Sequence, residues 1–193
     1  MSDMNNKFFV EIGSNYYETL LPLAKEAGWK GLLVEPVPEY FNMIERVPGV
    51  FYENSAIGLE SKAVTFFYIP QNTMYAYGFG EWVRGLGSID INHFEVKFQG
   101  LVEKIKVPMI TVKELLDKYN IRQIDYLKID AEGMDCDILS QFDISNIERI
   151  MFEWRNCPLE NTNGEIQRLT DKGFVCQVDG DNIKAYKNIN PDK

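Results

Sequence analysis

The first feature of the sequence is an alternation of short apolar runs with amphipathic segments. Residues 7–12 (KFFVEI) form an apolar run that stops at Gly13, as a buried strand does before a turn. Residues 17–27 then carry leucines and alanines near helical spacing, and Gly28 stands where a helix C-cap is expected. Pro22 lies inside this segment, so we expect its regular helix to begin later than the pattern does.

The same alternation continues through most of the chain. The further predicted strands are 31–35, 50–57, 64–69, 105–109, 124–130, 147–153, 174–178 and 183–187, and the further predicted helices are 39–47, 112–119, 134–142 and 166–172. The last two strands flank Asp-Gly-Asp-Asn, a strong hairpin signal. Strands that are apolar on both faces and separated by helices predict a doubly wound, mostly parallel α/β sheet of Rossmann type, followed here by an antiparallel hairpin.

One segment, 71–100, breaks the pattern by mixing aromatic residues with glycines. Long irregular segments are uncommon in compact domains and often act as lids or binding loops. We therefore predict a single domain over residues 1–193 with an inserted aromatic-rich substrate loop at 71–100. Its aromatic residues either contact a substrate or complete the core. We favour core packing for the phenylalanines, and substrate contact for Trp82 and for Arg84, whose guanidinium suits a carboxylate or phosphate.

Composition narrows the classes of partner. The chain has 193 residues, 45% of them hydrophobic, which suits one folded domain and argues against disorder. A formal net charge of −9 argues against general nucleic-acid binding, which depends on lysine and arginine. Three cysteines without a CxxC pair and a single histidine argue against a disulfide framework or structural zinc. The sequence has no apolar run long enough for a signal peptide or a membrane span, so we predict a cytoplasmic protein with no membrane partner.

Acidic residues stand at the ends of three predicted strands, namely Glu11, Glu35, and Asp130 with Glu132. Ligands of open parallel sheets bind beyond the carboxyl ends of the strands, and the 24-residue separation of Glu11 and Glu35 is typical of a second-strand acid that meets a ribose diol. Each acid alone is equally well explained as a helix cap or a solvated group, but the set favours a ligand. The turn at 13–17 is not GxGxxG and no phosphate loop is present, so we expect a nucleoside-like ligand without a pyrophosphate.

Four segments together carry a resemblance to a known family. The segments FVEIGSN, VEPVPEYF, NSAIGLESKAVTFFYIP and IDYLKIDAEGMDCDIL resemble FkbM-type methyltransferases, which are class I S-adenosylmethionine-dependent enzymes and often O-methyltransferases. The resemblance covers about residues 8–153, and DYLKIDAEG is its most specific part. It implies a seven-stranded sheet whose last strands are the reversed hairpin. It also implies methyl transfer to a hydroxyl, for which we expect a small metabolite or sugar as acceptor.

The resemblance assigns cofactor positions, and we extend them to neighbouring residues. Glu35 is implied to hold the ribose hydroxyls, and residues 54–56 are implied to lie at the adenine. The full set of candidate cofactor-binding residues is Glu11, Gly13, Ser14, Asn15, Glu35, Pro36, Asn54, Ser55, Ala56 and Asp130. The cofactor carries a sulfonium and an ammonium, which an acidic site suits.

Catalytic and acceptor-binding candidates complete the site. A hydroxyl acceptor needs its proton removed by a carboxylate or a histidine. The catalytic candidates are Asp130, Glu132, His93 and Lys128. Asp130 is the first candidate because it ends the central strand. The acceptor-binding candidates are Trp82, Arg84, Ser88 and Glu153, of which Ser88 and Glu153 come from the resemblance.

Several alternatives stay open from the sequence alone. Lys128 is equally well explained as a structural salt bridge, and His93 as a surface residue. Clustered carboxylates suit Mg²⁺ or Ca²⁺, but a divalent metal is not favoured. Tyr17 stands where the family has a second glycine, which leaves open a non-catalytic nucleoside- or glycan-binding module. Acceptor choice rests on the inserted loop or on a partner subunit, so a homo-oligomer also stays open.

Overall fold

The fold alternates strands and helices, as described in a computed structural model for residues 7–15 and 19–187. Its strands are β1 (Phe8–Ile12), β2 (Lys30–Val34), β3 (Val50–Glu53), β4 (Ala56–Ile57), β5 (Lys62–Tyr68), β6 (Glu103–Ile110), β7 (Tyr126–Ile129), β8 (Arg149–Glu153), β9 (Phe174–Asp179) and β10 (Asn182–Lys187). Its α-helices are α1 (Leu21–Ala27), α2 (Pro38–Phe41), α3 (Gln71–Tyr77), α4 (Val96–Gln99), α5 (Val112–Lys118), α6 (Asp135–Ser140) and α7 (Leu159–Asp171). Short 3₁₀ helices cover Glu81–Gly85, Ile91–His93 and Ile144–Asn146.

Seven strands form the main sheet in the order β3-β2-β1-β7-β8-β10-β9. The five strands from β3 to β8 are parallel, and β10 is antiparallel to both β8 and β9. This confirms the predicted seven-stranded, mostly parallel α/β sheet with its C-terminal antiparallel hairpin. Strand order reverses between β1 and β7, which is the place where a sheet of this kind leaves a crevice for a ligand.

The central strands are buried on both faces, which explains their continuous apolar runs. In β1, Phe9 packs with Leu21 and Leu33 on one face, whereas Val10 packs with Leu127 on the other. Neither Phe9 nor Val10 is exposed to solvent. A strand covered on both faces has no polar side to show, so its sequence lacks the period of two that half-buried strands display.

A second, three-stranded sheet corrects the prediction of a single strand over 50–57. The chain leaves the main sheet after β3, and β4 pairs with β6 in a sheet of order β4-β6-β5. The strands β5 and β6 form an antiparallel ladder from Lys62–Met109 to Tyr68–Glu103. An apolar run predicts a strand but does not say which distant strand it pairs with, so the second sheet was not visible in the pattern.

The segment 71–100 is not the irregular loop that the sequence predicts. It contains α3, α4 and two 3₁₀ helices, and its buried side chains include Met74, Val83, Phe94 and Phe98. Phe94 and Phe98 pack in this cluster, as favoured from the sequence, whereas the side chain of Trp82 is 58% exposed. Helices of four to seven residues separated by glycines are too short to show a helical period. We call residues 71–100 the insert.

The limits of three helices differ from the predicted ones. Helix α1 begins at Leu21 with Pro22 in its first turn, where the missing N–H has no partner to lose, and this confirms the late start. Helix α2 ends at Phe41, well short of the predicted 47. Helix α7 begins at Leu159, seven residues before the predicted 166, because Asn161, Asn163 and Gly164 are poor helix formers and weaken the helical pattern of its first half. Tyr17 lies outside the described residues. In the described part of the chain, none of the helices has the length and apolar composition needed to cross a bilayer.

Candidate cofactor cavity and acid cluster

A cavity of about 260 Å³ lies at the carboxyl ends of β1, β2 and β7. The predicted site residues that line it are Gly13, Ser14, Asn15, Glu35, Pro36, Ser55, Ala56, Trp82, Arg84, Lys128, Asp130 and Glu132. The second sheet and the insert supply the opposite wall, including Phe66, Gly85, Gly87 and Ile89. The insert therefore forms part of the cavity itself. The predicted residues that do not line the cavity are Glu11, Asn54, Ser88, His93 and Glu153.

The turn after β1 needs a glycine at position 13. Gly13 has a φ of +76°, and a β-carbon there would lie 1.8 Å from the carbonyl oxygen of Asp130. Its backbone N–H and that of Ser14 both donate to the carbonyl of Val34, each at 3.0 Å. The ends of β1, β2 and β7 therefore lie close together at Gly13, where the backbone faces the cavity without a side chain in between.

Glu35 is held in the cavity by the two turns beside it. Its Oε2 accepts a hydrogen bond from the backbone N–H of Asn15 at 2.8 Å, and its Oε1 accepts one from Val37 at 2.8 Å. The amide of Asn54 donates to the backbone carbonyls of Glu35 and Pro36, so Asn54 shapes the turn. Burial raises the pKa of Glu35 to about 7, although both backbone hydrogen bonds oppose this shift.

Ser55 provides a polar atom that suits a bound ligand. Its side chain is fully buried and lines the cavity, and its Oγ has no hydrogen-bond partner among the described residues. A buried hydroxyl without a partner costs about 1–3 kcal/mol. The bare turn at Gly13, the carboxylate of Glu35 and the hydroxyl of Ser55 together fit a nucleoside-type cofactor, which offers hydroxyls and ring nitrogens.

Glu11 occupies a structural position below the cavity. Its carboxylate accepts hydrogen bonds from the backbone N–H groups of Thr19 at 2.9 Å and Leu20 at 2.8 Å, and it pairs with Lys128 Nζ at 3.0 Å. Lys128 also lies 3.4 Å from Asp130. Burial lowers the pKa of Lys128, but the two acids outweigh this effect, so its pKa is raised overall. The salt-bridge interpretation of Lys128 accounts for these contacts.

Three acids cluster at the β7 side of the cavity. Oxygen atoms of Asp130, Glu132 and Glu153 all lie within 4.8 Å of one another. Burial raises the pKa of Glu132, and it raises that of Glu153 to about 7 with help from the neighbouring acids. Glu132 has a left-handed backbone, with a φ of +48°, which is uncommon for a residue other than glycine.

Hydrogen-bond donors surround this acid cluster. His93 Nε2 lies 2.8 Å from Glu132 Oε2, and the amide of Asn156 donates at 3.0 Å to both Glu132 Oε2 and Glu153 Oε2. The hydrogen bond with Glu132 raises the pKa of His93, although burial opposes it. Carboxylates that bind Mg²⁺ or Ca²⁺ direct their oxygens at the ion. Here one oxygen of Glu132 and one of Glu153 face an imidazole or an amide, and Asp130 faces the ammonium of Lys128, so these contacts do not single out a metal centre.

Of the four acceptor-binding candidates, Glu153 belongs to the acid cluster and the other three occupy different environments. Trp82 combines 58% exposure with a place in the cavity lining. Arg84 is buried, with its guanidinium 3.3 Å from Glu81. Ser88 lies behind the wall, where its Oγ accepts from the backbone N–H of Asp90 at 3.2 Å. Trp82 is therefore the candidate whose side chain is both open to solvent and in the cavity.

Two residues of the site were missed in the sequence. Asn156 bridges Glu132 and Glu153, and its position three residues after a strand-ending acid is the signal that could have found it. Asp135 is fully buried, and its Oδ1 accepts from the backbone N–H groups of Ala131 at 3.3 Å and Glu153 at 3.2 Å. It ties the β7 turn to β8, and it stands inside the DAEGMD segment, where no role was assigned to it.

Comparisons with known proteins give one family model and several similar proteins. Methyltransferase 1 from Beauveria bassiana (strain ARSEF 2860) is 24% identical over 194 residues, covering 91% of this chain and 75% of the relative. Two solved structures are similar: a precorrin-6y C5,15-methyltransferase from Geobacter metallireducens GS-15 (11% identity, TM-score 0.46, 95% of this chain and 81% of that one) and a human methyltransferase 10 domain containing protein (11% identity, TM-score 0.39, 94% and 71%). The family model of the methyltransferase FkbM domain matches residues 7–176. The chain therefore belongs to the FkbM methyltransferase family, which implies S-adenosylmethionine as its methyl donor.

Proposed function

We propose that the chain transfers a methyl group from S-adenosylmethionine to a hydroxyl of a small metabolite or sugar. The observation that carries this proposal is that one cavity is lined both by Gly13, Glu35 and Ser55 and by the acids Asp130 and Glu132. The first group suits the nucleoside part of the cofactor. The second suits removal of a proton from an acceptor hydroxyl.

The positions of the lining residues support a placement of the cofactor. Glu35 accepts hydrogen bonds from the ribose hydroxyls, Ser55 bonds the adenine, and the backbone at Gly13 approaches the methionine part. Ser14, Asn15, Pro36 and Ala56 complete the wall. Glu11 and Asn54 act indirectly, by holding the turns that carry the contacting groups. When bound, the cofactor supplies an electrophilic methyl group on a positively charged sulfur, which acids on one side of the cavity favour electrostatically.

Methyl transfer is an in-line displacement, so holding the acceptor oxygen in line with the methyl group supplies much of the acceleration. Asp130 and Glu132 line the cavity on the β7 side, and we assign to these carboxylates the removal of the acceptor proton. Glu153 and His93 stand behind them and contact the acceptor only through the rest of the cluster. Lys128 keeps its structural pairing with Glu11 and Asp130.

Trp82 and the cluster of acids suggest the kind of acceptor. An exposed indole face at the cavity stacks well on a flat or sugar-like ring. The acids repel a carboxylate or phosphate, and Arg84 is already next to Glu81, so we favour a neutral hydroxylated acceptor. The net charge of −9 supports a protein that works without a nucleic-acid partner, and we place it in the cytoplasm. The proposal includes a homo-oligomer in one role, in which a second subunit adds contacts to the acceptor.

Calorimetry with S-adenosylmethionine and S-adenosylhomocysteine tests the first step. We expect both to bind, and we expect Glu35→Ala to weaken binding strongly because it removes the ribose contact. Folded protein that binds neither compound refutes the proposal. Formation of S-adenosylhomocysteine in a screen of monosaccharides and hydroxylated metabolites then identifies the acceptor. Binding without turnover of any of them favours the alternative of a non-catalytic nucleoside- or glycan-binding module.

A further inference from the structure

We propose that Asn156 and His93 are positioning residues that hold Glu132 with its Oε1 toward the cavity, and that Glu132 rather than Asp130 removes the acceptor proton. The inference rests on the proposed methyl transfer to a hydroxyl. It concerns a different step from cofactor binding, namely the fate of the acceptor proton.

The two oxygens of Glu132 have different surroundings. Oε2 faces His93 Nε2 at 2.8 Å and accepts from the amide of Asn156 at 3.0 Å. A β-carbon on Gly85, which lines the cavity, would lie 3.8 Å from Oε1. One oxygen is therefore held by two protein donors, while the other lies beside the cavity wall. A carboxylate fixed in this way presents a defined lone pair to an acceptor hydroxyl.

The backbone around Glu132 is built to hold this orientation. Glu132 and Gly133 both have positive φ values, +48° and +100°. A β-carbon on Gly133 would lie 3.4 Å from the carbonyl oxygen of Asn156, so the turn after β7 packs directly on the turn after β8. A left-handed conformation at glutamate is strained, and strain of this kind persists where surrounding contacts hold the residue for function.

Asp130 is the weaker candidate for the base. Its carboxylate lies 3.4 Å from the ammonium of Lys128, and its side chain is 40% exposed, compared with 14% for Glu132. Water and the Lys128 ammonium both compete with an acceptor hydroxyl for the oxygens of Asp130. Burial raises the pKa of Glu132 and outweighs the lowering effect of His93, which favours proton uptake by that carboxylate.

The proton and electron changes balance without any further reactant. Glu132 Oε1 takes the proton of the acceptor hydroxyl as the acceptor oxygen forms its bond to the methyl carbon. The bond between that carbon and sulfur breaks, and its electron pair stays on sulfur, which gives a neutral thioether. The charged groups around this step are Asp130, Glu153 and Asp90, with Lys128 beyond Asp130, and the imidazole of His93.

The chain offers a direct probe of this arrangement, since His93 is its only histidine. An NMR titration of the full chain therefore follows one imidazole. We expect it to titrate above the ordinary value of about 6.5, and Glu132→Gln to move it down toward that value. Arg155→Ala is the matched control, because Arg155 neighbours Asn156 but pairs with Asp181 on the surface. A wild-type titration at the ordinary value, or one that Glu132→Gln leaves in place, overturns the inference.

Turnover separates positioning from structural support. With the acceptor from the screen, we expect Glu132→Gln to lower kcat at least about a hundredfold and Asp130→Asn to lower it less. Asn156→Ala and His93→Ala should each lower kcat about tenfold with unchanged S-adenosylmethionine affinity, and His93→Gln should restore most of the rate, because its amide still donates to Oε2. The inference is overturned by a Glu132→Gln enzyme that is as active as Asp130→Asn, or by a wild-type kcat in Asn156→Ala.

The two proposals fail in different ways. Wild-type protein that binds no S-adenosylmethionine refutes the proposed function, whereas the NMR titration still decides whether His93 and Glu132 are paired. Wild-type protein that binds and turns over, but whose rate survives Glu132→Gln, refutes this inference alone.

Discussion

Replacing Gly13 with alanine should separate the ends of β1 and β7. The new β-carbon would stand 1.8 Å from the carbonyl oxygen of Asp130, and ordinary contacts begin near 3.4 Å, so the two turns must move apart by about 1.6 Å. That movement breaks or stretches the 2.9 Å hydrogen bond from the N–H of Asp130 to the carbonyl of Ile12. It also displaces the carboxylate of Asp130 from the cavity.

The expected loss of stability has two parts. A non-glycine residue in a left-handed backbone costs about 1–2 kcal/mol. Loss of a buried backbone hydrogen bond adds about 1–3 kcal/mol, because it leaves a donor and an acceptor unpaired. We therefore expect Gly13→Ala to lower the free energy of unfolding by about 3 kcal/mol, a large part of the typical 5–15 kcal/mol.

Gly180→Ala is the matched control for this substitution. Gly180 has a similar φ, +61°, at the hairpin tip between β9 and β10, but a β-carbon there would meet nothing within 4 Å. Urea unfolding of both variants isolates the steric part, and calorimetry with S-adenosylmethionine should show binding lost only in Gly13→Ala. Equal stability and equal affinity in the two variants would refute the steric argument.

Three further predictions concern the cavity. Ser55→Ala should leave thermal stability unchanged or higher, because it removes a buried hydroxyl that has no partner among the described residues. It should weaken S-adenosylmethionine binding about tenfold by calorimetry, because the proposed placement gives that hydroxyl to the cofactor, and unchanged affinity would exclude the contact. The pKa of Glu35 is raised to about 7, so its contribution to the free energy of unfolding should be greatest below about pH 4.5 and decrease until about pH 7. Urea unfolding of the wild type and of Glu35→Gln measures this contribution as a difference, and a difference that does not change with pH would contradict the shift. The pKa of His93 is also raised, so the wild type should be more stable than His93→Ala at low pH. This difference in stability should disappear as the pH rises through the folded-state pKa of His93. A difference that persists at high pH would contradict the pairing with Glu132.

The strand ends of the site were predictable because they follow from local patterns. The run before Gly13 and the acid Glu35 each stand at the end of a strand that the hydrophobic pattern locates within a few residues. Parallel strands bring their carboxyl ends to one edge, so the meeting of Gly13, Glu35 and Asp130 at a single cavity required only the sheet type.

The second sheet was not predictable on the same grounds. Residues 50–57 are predicted as one strand, although polar residues stand at positions 53–55, and the last two residues pair with Met109 and Ile110. Pairing over more than 50 residues depends on the packing of the whole molecule, and no local feature reports it. The same limit hid Asn156, which is an ordinary polar residue until the fold brings it to Glu132. His93 is a catalytic candidate in the sequence, but its pairing with Glu132 has no local signal either.

The insert is more regular in structure than the loop that its composition suggests. Its phenylalanines fill a core against the second sheet, and this core holds the backbone from which Trp82 and His93 reach the two sides of the site. In the proposed mechanism, this packed wall fixes the distance between an acceptor that rests on Trp82 and a base that His93 orients. The proposal thus makes acceptor specificity and proton removal depend on the same folded segment. The ring centroids of Phe98 and Trp82 lie 5.8 Å apart, so a substitution that loosens Phe98 should impair both together.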